Sequence, residues 1–128
     1  MSERVMRVIL VLLLLVHGIA HLPGFLVNWQ LRSFPELPFR TSVFNGTLDV
    51  GLIGIRAVGV GWLFVAIALG FAALGVLLRS GWWQPLAYSA VGASVVLTAA
   101  GWPEAPLGLV ANALVIVLIV TGQRFNWL

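Results

Sequence analysis

RVILVLLLLVHGIAHL, residues 7–22, opens on an arginine, runs without a break through aliphatic residues from Val8 to Val16, and then reaches His17 and His21. A helix built from this stretch has no polar face to offer water, and ~20 apolar residues match the thickness of bilayer hydrocarbon. The segment reads as a membrane span at about 5–22. A secretory signal is the competing reading: Arg4 and Arg7 form a basic start, and Gly18, Ile19 and Ala20 make a passable cleavage site.

Working outward, similar apolar stretches follow at about 50–79, 84–101 and 106–122. The expected fold is all-α: a single domain formed by a polytopic, four-transmembrane-helix bundle. Composition agrees. The chain of 128 residues is 61% hydrophobic and 9% charged, against roughly a quarter charged in a soluble domain. The second stretch is longer than a bilayer requires, so it is expected to tilt or project. Gly59, Ala66 and Gly70 on it are small enough for another helix to approach closely.

Between the first two spans, residues 23–49 are expected to form a long extracytoplasmic loop. It contains Pro23, Pro35, Pro38 and several aromatic residues, which places it at headgroup level. Trp29, Trp82, Trp83, Trp102 and Trp127 are expected as interfacial anchors.

The charged residues limit the remaining possibilities. Every basic residue is arginine, and the net charge of +3 is too dispersed for a nucleic-acid surface. The chain has no cysteine, which removes disulfides, thiolate catalysis and Cys-ligated metals. Arg4, Arg7, Arg79 and Arg124 fall on one side of the spans with Glu3. Arg32, Arg40 and Arg56 fall on the other with Glu36, Asp49 and Glu104. Arginine bias then predicts both termini cytoplasmic, and the expected location is the bacterial inner membrane.

With that orientation, the polar residues inside the spans gather toward the outer leaflet. His17 and His21 end the first span, Arg56 lies near the start of the second, Thr98 ends the third, and Glu104 and Asn112 flank the start of the fourth. At ~1.5 Å rise per residue all lie within about 10 Å of that interface. Intramembrane polar groups turn inward and pair. A pocket lined by His17, Arg56 and Asn112 and roofed by the first loop is therefore expected.

His17 and His21 share one helix face. That spacing suits two metal ligands, a ligand or heme contact, or simple hydrogen bonding within the bundle. Bis-histidine heme held across two helices of one chain is excluded, because both lie on one helix. Arg56 either snorkels to the interface or pairs with Glu104, Asp49 or an anionic headgroup. No catalytic constellation is visible. A lone histidine acting as acid or base remains an enzymatic alternative, and too few polar positions exist for a continuous channel.

The segment Arg7 to Phe25, with His17-Gly18-Ile19-Ala20-His21-Leu22 at its end, resembles the first helix of DoxX-like small membrane proteins. Arg56-Ala57-Val58-Gly59 followed by Ala66 is similar to that family's second helix, and Asn112 fits its last. An acidic residue common shortly after the Arg-x-x-Gly pair in that family is replaced here by Trp62 and Leu63. The resemblance implies a four-span layout and association with quinone-linked oxidoreductase systems, often as a partner of other subunits. The expected role is a small membrane subunit that docks with other membrane proteins as an accessory or scaffold component. The alternative is a quinone-, isoprenoid- or lipid-binding protein with a pocket in the outer leaflet.

Overall fold

The computed structural model describes residues 2–103 and 106–128. It consists of α1 (Glu3–Ala20), α2 (Leu22–Asn28), a minimal hairpin of β1 (Ser42–Val43) and β2 (Leu48–Asp49), then α3 (Gly51–Leu77), α4 (Trp83–Ala100) and α5 (Pro106–Arg124). α1 packs on α3 and α5, and α4 packs on the same two helices, so the four long helices close into a ring.

Local chemistry explains the helix ends. Ser2 caps α1, its Oγ accepting from the Val5 amide at 3.2 Å. The break between α1 and α2 follows from Pro23, which lacks the N–H a continuing helix needs and clashes with the preceding turn. The His21 amide bonds tightly back to Gly18 at 3.1 Å, which leaves the His17 carbonyl without its regular helical donor. At the other end of the loop, Gly51 has a left-handed φ of +71° and its amide donates to Asp49 Oδ1 at 2.9 Å, setting the entry into α3. That hydrogen bond holds the Asp49 carboxyl below its ordinary range.

Among the described residues, three helical stretches are long and apolar enough to cross a membrane: residues 3–28, 51–77 and 106–124. The expectation of four such stretches is corrected. α4 has the length but is less apolar, because Gln84, Pro85, Tyr88, Ser89, Ser94 and Thr98 dilute it. The first stretch also extends past 22, to Asn28, by adding α2 across the proline break. The segment expected as a single loop thus holds a helix, the hairpin and a tight turn.

The outside of the ring is apolar. Ile53, Phe64, Ile19 and Val16 are all more than 60% exposed, the inverse of a water-soluble surface. Inside, Leu10 and Leu14 of α1 meet Leu69, Ala72 and Val76 of α3, Ala87 and Val91 of α4, and Val115 and Ile119 of α5. Trp83 belongs to this core at 3% exposure, not to the interface as expected. A Cβ on Gly75 would lie 2.6 Å from that of Trp83, so the glycine is what lets α3 and the start of α4 meet. At the same end of the bundle Glu3 joins Arg7 (2.9 Å) and Arg79, while Arg7 donates to the Val76 carbonyl at 3.1 Å.

Candidate functional site

The opposite end of the ring, beneath the hairpin, holds the buried polar groups. The His17 carbonyl released at the proline break is taken up by the next imidazole: Nδ1–H of His21 donates to it at 2.7 Å. This fixes the neutral tautomer of His21, leaving Nε2 as an acceptor for the Ser94 hydroxyl of α4, also at 2.7 Å. The two rings meet edge to face at 4.6 Å. His17 turns to α5, its Nε2 lying 2.6 Å from Asn112 Oδ1 and 3.5 Å from Ser94 Oγ.

His17, His21, Ser94 and Asn112 therefore form one chain of contacts linking α1, α4 and α5. Each of these side chains is at most 4% exposed. Such interhelical bonds in a membrane contribute about 0.6–2 kcal/mol each. They also fix the rotation of α1 about its own axis, because only one face carries both rings.

Above the histidines lies a cavity of about 510 Å³. Its inner wall is His17, His21 and Thr98 with Val58 and Trp62, and Trp102 and Leu107 stand at the side. Glu36, Leu37, Pro38, Arg40 and Val43 of the loop line it on the opposite side. Trp62 packs 5.2 Å from the His21 ring. Gly24 allows this, since a Cβ there would lie 2.6 Å from the Trp62 ring. The hairpin is tied down by the Phe44 amide, which donates to the Ala100 carbonyl of α4 at 2.7 Å.

The other residues expected at the site divide. Thr98 reaches the cavity but turns its hydroxyl back to the carbonyls of Ser94 (2.8 Å) and Val95 (3.1 Å). Its methyl faces Gly108 of α5. Asn112 stands behind His17 and does not line the cavity. Arg56 is also absent from the cavity wall. Its guanidinium lies 5.5 Å over Trp29, and Trp29 Nε1–H donates to the Arg56 carbonyl at 2.9 Å. Among the described residues Arg56 has no ion pair, and Asp49, an expected partner, bonds Gly51 instead. Glu104 lies outside the described residues.

The expected packing glycines also separate. A Cβ on Gly59 would meet Trp29 and Asn28 within 3 Å, whereas one on Gly70 would meet nothing within 4 Å. The tight point between α1 and α3 is Gly18, whose added Cβ would lie 3.2 Å from the Ala66 carbonyl. Of the expected anchors, Trp82 and Trp102 are exposed, Trp29 is partly covered by Arg56, and Trp127 stacks on Phe125 at 5.1 Å.

Sequence reasoning missed Ser94 and Trp62. Ser94 carried a usable signal: with Thr98 it makes a polar i,i+4 pair on an otherwise apolar helix. Trp62 carried none, because an aromatic residue within an apolar span looks the same whether it faces lipid or a cavity. No three His, Asp or Glu side chains cluster as a metal would require among the described residues. Comparison with known protein families, curated proteins and solved structures gave no match.

Proposed function

We propose that this chain is a multi-pass protein of the bacterial inner membrane, with both termini cytoplasmic, that binds a lipid-soluble molecule in the cavity under the hairpin. A quinone, an isoprenoid or a lipid fits that description. The observation that carries it is the cavity itself: about 510 Å³ of mostly apolar wall with two imidazoles at its inner end. Binding sites for small molecules commonly enclose ~300–1,000 Å³ and combine such walls with a few placed polar groups.

The test is native mass spectrometry of protein purified in mild detergent. A lipophile should be retained at one per chain, and Val58→Trp, which fills the cavity, should lose it. Arg56→Ala should keep it, because Arg56 lies off the cavity wall. Equal retention in Val58→Trp would overturn the reading.

In this reading α4 is a fourth span, carried through the membrane between α3 and α5. The chain has no native cysteine, so single cysteines report topology cleanly. Gly81→Cys and Trp102→Cys, at the two ends of α4, should label from opposite faces of the membrane. Labelling from the same face would rule out the crossing.

An accessory subunit of a larger, redox-linked membrane complex is the second reading. It is favoured by the outward face of α4, where Ser89, Gly92, Ala93 and Val96 are exposed and small enough for a foreign helix to approach. A stoichiometric partner co-purifying with the wild type and lost in Gly92→Leu supports it. The resemblance to DoxX-like proteins is compatible with either reading.

A further inference from the structure

With the cavity taken as a binding site, as proposed above, its polar lining determines what it recognises. The polar groups at its inner end are nearly all committed. Both ring nitrogens of His21 are engaged, with the His17 carbonyl and Ser94. The Thr98 hydroxyl is turned onto backbone carbonyls. His17 spends Nε2 on Asn112. Nδ1 of His17 is the one ring nitrogen of the pair that makes no hydrogen bond among the described residues, and His17 lines the cavity.

Whether that nitrogen donates or accepts is set by Asn112. With its carbonyl toward His17, the amide leaves Nδ2 buried without a partner. A buried orphan N–H is rarer and costlier than an under-used carbonyl oxygen. Rotating the amide by half a turn lets Nδ2–H donate to Nε2 of His17 at an ordinary N–H···N separation. A neutral imidazole that accepts at Nε2 carries its proton on Nδ1. Nδ1–H then offers a donor at the inner end of an apolar cavity.

We propose that the group recognised there is a neutral acceptor oxygen, a ketone or ester carbonyl of a lipid-soluble molecule, bound by Nδ1–H of His17. Asn112 is the positioning residue that holds the proton on Nδ1. The ligand enters carbonyl first, with its hydrocarbon against Val58 and Trp62. Ionised heads are disfavoured at this depth: burying a charge needs a counter-charge, and Glu36 and Arg40, both in the cavity wall, offset each other formally.

Two measurements on the full chain in detergent test this. ¹⁵N NMR of the histidine rings should place the proton of His17 on Nδ1 in the wild type, and a protonated Nε2 would overturn the assignment. Binding of 2-tridecanone, 2-tridecanol and tridecane, followed by native mass spectrometry, should rank the ketone about tenfold above the alkane, the factor that one good hydrogen bond supplies. The alcohol should bind no better than the ketone. His17→Phe, which removes the donor, should erase the difference between ketone and alkane. Alcohol binding without ketone binding would overturn the proposal. Equal binding of all three would overturn it while leaving the cavity reading intact. Binding of none, with the native lipophile still held by Val58→Trp, would remove the cavity reading as well.

Discussion

The two halves of the bundle are held together by different physics. Toward the Arg79 turn, Leu10, Leu14, Leu69, Val76 and Ile119 meet in one apolar core. Toward the hairpin, His17, His21, Ser94 and Asn112 occupy the same interior and are bonded across three helices. In the proposed membrane setting the dry half gains from shape alone, because neighbouring lipid would be as apolar as leucine. The wet half gains less from close packing and more from direction, since its hydrogen bonds are satisfied in one helix rotation only. That half also leaves room for the cavity.

Breaking the dry half should have the largest effect. Leu14→Ala or Leu69→Ala empties a fully buried position and should destabilise the fold by ~2 kcal/mol, the cavity contribution without a transfer to water, with the volume left behind setting the value. Unfolding in mixed micelles titrated with denaturing detergent measures it. A loss no larger than that of an outward leucine such as Leu12 would remove the contrast between the halves.

In the wet half, Ser94→Ala strips His21 Nε2 of its donor inside the bundle and should cost about 1–2 kcal/mol by the same titration. Ser94→Thr, which keeps the hydroxyl, should recover most of that loss if the extra methyl is accommodated. A neutral Ser94→Ala would mean that packing, not hydrogen bonding, fixes α4 against α1.

The smallest effect is expected outside both halves, at Asp49. Its folded carboxyl is held below the ordinary range by the Gly51 amide. The stability this contributes is present above the unfolded value and fades as pH falls through the lower folded one. Protection of the Gly51 amide, its exchange rate taken relative to the unprotected rate at the same pH, should fall over that acidic window and stay flat above it. Asp49→Asn should flatten the profile throughout.

The difference between the halves was partly legible in advance. The clustering of His17, His21, Thr98 and Asn112 at one end follows from counting along spans, since a helix rises by a fixed amount per residue. Their partners did not follow. Arg56 sits at the matching depth but rotates toward Trp29, because the Trp29 ring offers its guanidinium a face and Gly59 leaves room for that ring. Trp83 looked interfacial beside Trp82, yet adjacent helix residues point about 100° apart, and Gly75 opened a place for one of them inside.

α4 is the most instructive element. Its composition alone does not meet the apolarity that the other three stretches meet. What makes it a member of the ring is its neighbours: Ser94 and Thr98 find their acceptors and donors within the bundle, and Trp83 and Ala87 are wrapped by other helices.

The sequence by itself determined the all-helical character, the approximate ends of the long helices and the end of the molecule at which polar groups collect. These depend on local propensity and on rise per residue, which a linear chain encodes directly. Only the tertiary structure decided that His21 pairs with Ser94, that Arg56 turns from the cavity to Trp29, and that the loop and hairpin line a space above two imidazoles. Those outcomes depend on the rotation of each helix about its own axis. That rotation is chosen by contacts between residues far apart in the chain.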